Sequence, residues 1–133
     1  GGVYLTVKDS DKDSIISLAK SLREMEFDLY ATRGTAAILR ERGGLEVNSA
    51  YRIAEQGSPD ALDLMRDGKI QLIINTPTNS GGAVLDGNMM RRLAVELNIP
   101  FVTTLSGATM EVQAIAEMIK GLPEPRSLTI GTV

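Results

Sequence analysis

The chain has 133 residues, the length of one domain, and its 43% hydrophobic and 23% charged residues are a normal globular composition. A net charge of −3 leaves no broad basic surface, so nucleic acid is not an expected partner. There is no cysteine and no histidine, which excludes disulfides and thiolate metal sites and removes the commonest general base. No apolar run approaches the roughly 20 residues of a membrane span, so we expect a cytoplasmic protein with no membrane partner and no cofactor.

The first third of the chain alternates between β-rich runs and helical runs. Residues 3–7 (VYLTV) predict a strand, and apolar side chains at helical spacing predict an amphipathic helix over residues 11–26. Residues 28–31 predict a second short strand. A turn at residues 32–35 (TRGT) opens a second predicted helix over residues 36–42, which ends before a glycine pair that suits a helix C-terminus.

The middle of the chain continues this alternation. Residues 47–53 are compatible with either a strand or an extended loop. Ser58 is followed by proline, a pattern that predicts Ser58 as the N-cap of a third helix ending at Gly68. Residues 70–75 (IQLIIN) are almost continuously apolar, which is typical of a central strand in a parallel sheet. Residues 76–88 are rich in turn-forming residues.

The last third predicts two helices and two strands. Residues 89–97 predict a helix, residues 101–104 a strand, residues 106–120 a helix with Ser106 as its N-cap, and residues 127–130 a final strand. The alternation of strands and helices predicts an α/β fold, with a three-layer, doubly wound and mainly parallel sheet flanked by helices. Because the chain enters a strand directly and stops soon after one, we expect it to be a single domain excised from a longer chain.

Polar residues cluster at the predicted carboxyl ends of the strands, where sheets of this kind bind ligands. These ends are rich in Thr, Ser, Gly, Asn and Lys, and they fall at residues 8–12, 32–35, 75–79 and 103–107. A phosphate group needs backbone N–H groups, hydroxyl donors and a cation, and a helix N-terminus supplies the first of these. The TRGT turn offers two hydroxyls and a glycine that lets the backbone approach, and Lys12 is a candidate cation. The strand ends therefore predict a site for a phosphorylated small molecule.

Each of these residues also has a plain structural interpretation. The two threonines of the TRGT turn suit helix caps, and Asn75 with Thr76 suits a turn that ends a strand. Asp86 is compatible with a turn, with a helix start, or with a carboxylate that reaches a ligand hydroxyl. Met89 and Met90 are typical of a core or a pocket wall. The convergence of four polar strand ends at one edge favours the binding site.

Catalysis is poorly supported by the same residues. A proton-transfer enzyme needs an imidazole or a carboxylate placed against its substrate. The chain has no histidine, and the carboxylates at the predicted rim are Asp9, Asp11 and Asp86. Residues 80–82 (SGG) lack the lysine and the spacing of a nucleotide-triphosphate loop. We therefore predict a domain that binds its ligand without transforming it.

Four segments carry a resemblance to a known family: LTVKDSDK, ATRGTAAIL, SPDALDLMRDGKIQLIINTP and DGNMMRRLAVELNIPFVTTLSGA. In this order and spacing they resemble the methylglyoxal-synthase-like domain family, and within it the C-terminal allosteric domains of carbamoyl phosphate synthetase large subunits. The resemblance runs from Val3 to the predicted final strand. The patterns ATxGTA, GKIxLIINT and RRxAVExxIPxxTT are specific in combination.

The resemblance implies a function and a set of partners. It implies a domain that binds a phosphorylated nucleotide effector such as UMP or IMP and regulates an ATP-dependent ligase of pyrimidine and arginine biosynthesis. The implied protein partners are the synthetase units of the same large subunit and the glutaminase small subunit. The resemblance assigns seven residues to the phosphate pocket: Lys12, Thr32, Gly34, Thr35, Arg52, Asn75 and Thr76. It assigns four residues to the nucleoside side: Thr6, Asp86, Met89 and Met90.

Several positions depart from patterns within the family. Arg52 stands where a lysine is common, Pro77 replaces a hydroxyl residue that often follows the Asn-Thr pair, and Phe101 replaces an enterobacterial tyrosine that helps to hold ornithine. The chief rival function is a methylglyoxal synthase-type lyase, which eliminates phosphate from dihydroxyacetone phosphate. In that alignment Ser58 falls where the first catalytic aspartate would lie, and residues 83–84 (AV) replace a His-Asp motif. A purine cyclohydrolase domain is a weaker rival, because its lysine- and histidine-containing motif is missing, and an unrelated doubly wound binding module is the third.

Overall fold

The computed structural model describes residues 1–77 and 81–121. The strands within these residues are β1 Gly2–Thr6, β2 Asp28–Thr32, β3 Asn48–Ala50, β4 Leu72–Asn75 and β5 Phe101–Val102. The α-helices are α1 Lys12–Glu24, α2 Arg33–Glu41, α3 Ala61–Arg66, α4 Gly81–Leu97 and α5 Leu105–Lys120. Short 3-10 helices lie at Asp9–Asp11 and Ile53–Glu55. The predicted final strand at residues 127–130 lies outside the described residues.

The five strands form one parallel sheet in the order β3-β2-β1-β4-β5. In the centre of the sheet Leu5 of β1 is in register with Ala31 of β2 and with Ile74 of β4. The chain winds outward from β1 to β3 and then returns to add β4 on the other side of β1. This reversal of strand order makes the carboxyl end of the β1–β4 pair the expected place for a ligand.

The sheet has a separate hydrophobic core on each face. Alternate residues of a strand point to opposite sides, so Leu5 and Ile74 belong to the core beneath α1, α2 and α5. Tyr4 and Ile73 belong to the core beneath α3 and α4. Leu5, Ile73 and Ile74 are fully buried, which explains why the central strands read as continuous apolar runs. The predicted doubly wound, three-layer fold is confirmed.

Helix α3 is capped by Asp60, so the prediction of Ser58 as its N-cap was wrong. The Asp60 carboxylate accepts a hydrogen bond from the Asp63 N–H at 2.9 Å, and the Asp63 carboxylate accepts one from the Asp60 N–H at 3.0 Å. This reciprocal capping box begins at residue 60 because Asp60 has the extended backbone of an N-cap. Ser58 reaches only the Asp63 carboxylate, at 3.3 Å.

Replacing Asp60 by alanine is expected to lower the free energy of unfolding by about 0.5–2 kcal/mol, because one helix-terminal N–H loses its acceptor. Urea denaturation monitored by circular dichroism measures the change. The matched substitution Ser58→Ala is expected to cost less, since Ser58 does not cap the helix backbone. A larger loss for Ser58→Ala than for Asp60→Ala would contradict this assignment.

Helix α4 begins at Gly81, several residues before its predicted start. The turn interpretation of Asp86 is therefore wrong, because Asp86 lies inside this helix. Asp86 and Met90 are buried one helical turn apart and face the sheet. A Cβ on Gly87 would lie 3.1 Å from Asn75 Nδ2, so the missing side chain lets α4 approach the end of β4. Packing here outweighs the low helix propensity of glycine and aspartate.

Helix α5 is capped by Thr104, so the prediction of Ser106 as its N-cap was also wrong. Thr104 has the extended backbone that an N-cap requires, and its Oγ1 accepts a hydrogen bond from the Gly107 N–H at 3.0 Å. Of two neighbouring hydroxyl residues, the backbone conformation selects the earlier one. In the part of the chain that the structure describes, none of the helices has the length and apolar character needed to cross a bilayer.

Candidate functional site

Two adjacent cavities open at the carboxyl edge of the sheet and share part of their lining. Thr6, Thr32, Arg52 and Ala83 line both of them. We call the one that reaches the N-terminus of α2 the outer cavity, with a volume of about 640 Å³, and the one beside α4 the inner cavity, with a volume of about 220 Å³. Together they form one cleft of a size that suits a small ligand.

The outer cavity brings Lys12 to the first turn of helix α2. Lys12 Nζ lies 3.3 Å from the position that a Cβ on Gly34 would occupy, so the glycine leaves room for the ammonium group. The residues expected to form a turn before α2 are its first helical turn, with Thr32 as the N-cap. Within the described chain the Thr32 side chain makes no capping hydrogen bond. N–H groups at the start of α2 therefore keep their capacity to bind an anion beside a cation.

Two carboxylates stand among the cations of the outer cavity. Asp9 accepts a hydrogen bond from Lys12 Nζ at 2.6 Å, and this bond and the positive charge of Lys12 lower the pKa of Asp9 below its ordinary value. Glu55 forms an ion pair with Arg33. Glu55 also accepts a hydrogen bond from the Arg52 backbone N–H at 2.9 Å. This bond joins the N-cap, Arg52, to the last residue of the 3-10 helix Ile53–Glu55.

The inner cavity is more enclosed and carries a buried carboxylate. The Asp86 side chain is 12% exposed, and its Oδ2 lies 3.8 Å from Arg52 Nε. Tyr4 lines the same cavity and is buried. Burial, and then the negative charges of Asp86 and Asp60, raise the pKa of Tyr4 above its ordinary value, so its hydroxyl remains a hydrogen-bond donor across the physiological pH range.

Thr76 connects the two neighbouring strand ends. It is buried, it lines the inner cavity, and its Oγ1 accepts a hydrogen bond from the Lys8 N–H at 2.8 Å. Because a hydroxyl both accepts and donates, Thr76 keeps a proton to offer while it holds the loop after β1. Asn75 lines the inner cavity beside it.

The cleft contains ten of the eleven residues assigned to it from the sequence. They lie on the outer cavity, on the inner cavity or on both: Thr6, Lys12, Thr32, Gly34, Thr35, Arg52, Asn75, Thr76, Asp86 and Met90. Met89 is the exception, since it is 45% exposed and lines neither cavity. Successive residues of a helix point about 100° apart, so Met90 and Met89 do not share a face.

Sequence reasoning missed several residues that line the cleft. Tyr4 was recognisable because it shares a strand face with Thr6, two positions further along β1. Arg91 lines the inner cavity, and its guanidinium lies 4.9 Å from the centre of the Phe101 ring. No sequence pattern distinguishes Arg91 from a solvent-facing arginine. Among the described residues no group of three or more acidic side chains is arranged to hold a metal ion.

Comparisons with known proteins agree with this architecture. Residues 14–103 match the family model of the MGS-like domain. A carbamoyl phosphate synthase large chain, C-terminal section, from Methanopyrus kandleri is 45% identical over 120 residues, which are 90% of this chain and 22% of that protein. A carbamoyl phosphate synthase large chain from Methanothermobacter thermautotrophicus is 43% identical over 128 residues, 96% of this chain and 12% of that one. This chain thus spans less than a quarter of the length of these curated relatives.

A solved structure shows the same fold at low sequence identity. The crystal structure of methylglyoxal synthase from Elizabethkingia anophelis superposes with a TM-score of 0.59 at 19% identity, and the match covers 92% of this chain and 78% of that one. The family model covers well over half of the chain, and the resemblance found in the sequence is confirmed. The chain belongs to the MGS-like domain family.

Proposed function

We propose that this chain is the C-terminal allosteric domain of a carbamoyl phosphate synthetase large subunit and that its cleft binds a phosphorylated nucleotide such as UMP or IMP. The observation that carries the proposal is the shared lining of the two cavities. Arg52 and the threonines at the ends of β1 and β2 belong to both. One ligand with a phosphate at one end and a polar ring system at the other fits such a cleft.

The outer cavity suits the phosphate. It combines the N–H groups of the first turn of α2, the hydroxyls of Thr32 and Thr35, and the ammonium group of Lys12. A helix of nine residues supplies a favourable dipole at its N-terminus. Gly34 has no Cβ that could block the approach of an anion to the backbone of this turn.

The inner cavity suits the nucleoside. Asp86 supplies carboxylate acceptors for sugar hydroxyls, and Tyr4 and Thr103 supply hydroxyl groups. Ile53 and Met90 provide apolar contact for a flat ring. A nucleoside that enters here would therefore meet both polar and apolar partners.

The lyase function finds little support in the same cleft. Ala83 and Val84, which take the place of the lyase His-Asp motif, line the cleft and have no group that can move a proton. Ser58 hydrogen-bonds to Asp63 near the start of α3 and lines neither cavity. Asp86, the carboxylate in the enclosed part of the cleft, has Arg52 as an ionic partner.

In this proposal the bound effector regulates the synthetase units of the large subunit and, through them, the complex with the glutaminase small subunit. A ligand shifts a conformational equilibrium only when it binds the two states with different affinity, typically by ~1–3 kcal/mol. The domain contributes binding energy, and the ATP-dependent ligase chemistry takes place elsewhere in the parent enzyme.

Replacing Lys12 by methionine is expected to weaken UMP or IMP binding by about tenfold, the lower end of the range for one charge-assisted contact, because that contact to the phosphate is lost. Isothermal titration calorimetry of the 133-residue chain with each nucleotide measures the affinity. Lys20→Met is the matched control, because Lys20 is exposed on the same helix and lines neither cavity.

Two results would contradict the proposed function. The first is the absence of binding heat with either nucleotide for the unmodified chain. The second is rapid formation of methylglyoxal from dihydroxyacetone phosphate, which would support the lyase instead.

A further inference from the structure

Each cation that lines the outer cavity is paired with a carboxylate. Within the described residues these pairs are Lys8–Asp11 at 4.0 Å, Lys12–Asp9 at 2.6 Å, Arg33–Glu55, and Arg52–Asp86 at 3.8 Å. The four positive charges are therefore balanced by four negative ones. A cleft built to attract an anion by excess charge alone would not carry this balance.

The four carboxylates differ in how exposed they are, and therefore in how easily they can move away from their cations. The side chains of Asp86 and Asp11 are only 12% and 17% exposed, so they are held in place by their surroundings. The Asp9 side chain is 96% exposed and that of Glu55 is 31% exposed. Asp9 and Glu55 also line the outer cavity themselves, whereas Asp11 does not.

We propose that Asp9 and Glu55 are internal competitors of the ligand: each holds a cation of the outer cavity until an incoming phosphate takes its place. This inference rests on the proposed function, because it describes how that site admits its anion. In the structure Lys12 is bonded to Asp9 and Arg33 to Glu55. The phosphate exchanges these ion pairs for its own, so the observed affinity is lower than the cations alone would give.

The lowered pKa of Asp9 agrees with this exchange. Lys12 is the cause of the lowering, so a ligand that removes Lys12 from Asp9 raises that pKa. A different role for the two carboxylates would be to orient the cations toward the ligand. The two roles predict opposite effects, since loss of a competitor tightens binding and loss of a positioning group weakens it.

The test compares Asp9→Asn, Glu55→Gln and the double variant with the unmodified 133-residue chain. Both substitutions keep the shape of the side chain and remove its charge, and a glutamine at position 55 keeps an oxygen for the Arg52 N–H. Calorimetry with UMP, IMP and inorganic phosphate is expected to show about two- to fivefold tighter binding for each single variant, the range of exposed ion pairs. Asp13→Asn and Glu46→Gln are matched controls, because both residues are exposed and line neither cavity.

The Asp9 carboxyl group gives a second measurement. Its pKa, followed by carbon-13 NMR in the unmodified chain, is expected to rise when UMP binds, because Lys12 then bonds to the phosphate in place of Asp9. Unchanged or weaker nucleotide binding in both single variants would overturn the inference, and so would an Asp9 pKa that stays low in the complex.

The outcomes separate the inference from the proposed function. If the unmodified chain binds UMP but neither variant binds it more tightly, only the inference fails. If the unmodified chain binds neither nucleotide, the proposed function fails, and the inference that rests on it fails too. If none of the proteins binds any of the three probes, both fail.

Discussion

If the proposed function holds, Arg52→Met is expected to weaken UMP or IMP binding by about ten- to a hundredfold, the largest effect expected for any single change in the cleft. Arg52 lines both cavities, and a guanidinium group offers a planar set of donors that can bond two phosphate oxygens at once. Hydrogen bonds to charged groups contribute about 1.5–3 kcal/mol each, which corresponds to roughly this range of affinity. Calorimetry with both nucleotides measures the loss.

The control for Arg52→Met must separate binding from folding. Removing Arg52 leaves the buried Asp86 carboxylate without this ion pair, which destabilises the fold by itself. The double variant Arg52→Met with Asp86→Asn removes that charge and shows how much of the change is structural, as judged by thermal denaturation. Arg92→Met, on the exposed side of α4, is expected to bind normally. Equal affinity of the Arg52 and Arg92 variants would refute the role given to Arg52.

Ile73→Ala lowers the free energy of unfolding by about 2–5 kcal/mol, because a large buried side chain is replaced by a cavity. Ile73 lies on β4 and is fully buried in the core beneath α3 and α4. Because helices cover both faces of β4, the neighbouring side chains have little freedom to move into the cavity that the substitution leaves. Urea denaturation with fitted midpoints and slopes gives the change.

Two further substitutions calibrate this result. Ile73→Val removes a single methylene and is expected to cost about 0.5–1.5 kcal/mol. Val95→Ala removes apolar atoms from a side chain that is 74% exposed, so its effect should stay within about 0.5 kcal/mol. A cost for Val95→Ala as large as that for Ile73→Ala would mean that the core is placed wrongly.

The fold was largely predictable because its signals are local and repeated. Continuous apolar runs such as residues 72–74 identified central strands, and helical periodicity identified the helices between them. Parallel strands joined by crossovers then place the carboxyl ends at one edge. This is why segments as distant in sequence as residues 8–12 and 75–79 could be assigned to one edge from the sequence, whereas Asp86 was assigned to the cleft by the family resemblance.

The prediction and the structure differ where two sites in the sequence carry equally good local signals and tertiary contacts select one of them. Ser58 and Asp60 are both good N-caps, as are Ser106 and Thr104, and only the backbone conformation selects between them. Helix α4 starts earlier than predicted, and the approach of its Gly87 to Asn75 at the end of β4 is a contact that no local pattern reveals. The ion pair between Arg33 and Glu55 joins residues 22 positions apart, and spacing alone does not predict such pairs.

The cleft draws its lining from both helical layers of the sheet. Lys12 belongs to α1 on one side, and Asp86 belongs to α4 on the other. A ligand that contacts both side chains bridges the two layers across the end of β1, so its binding energy depends on the separation between them. By thermodynamic reciprocity, any partner whose binding outside the cleft changes this separation alters ligand affinity by the same factor by which the ligand alters the affinity for that partner. A change in the distance between the two helical layers would thus change the affinity of the cleft for such a ligand.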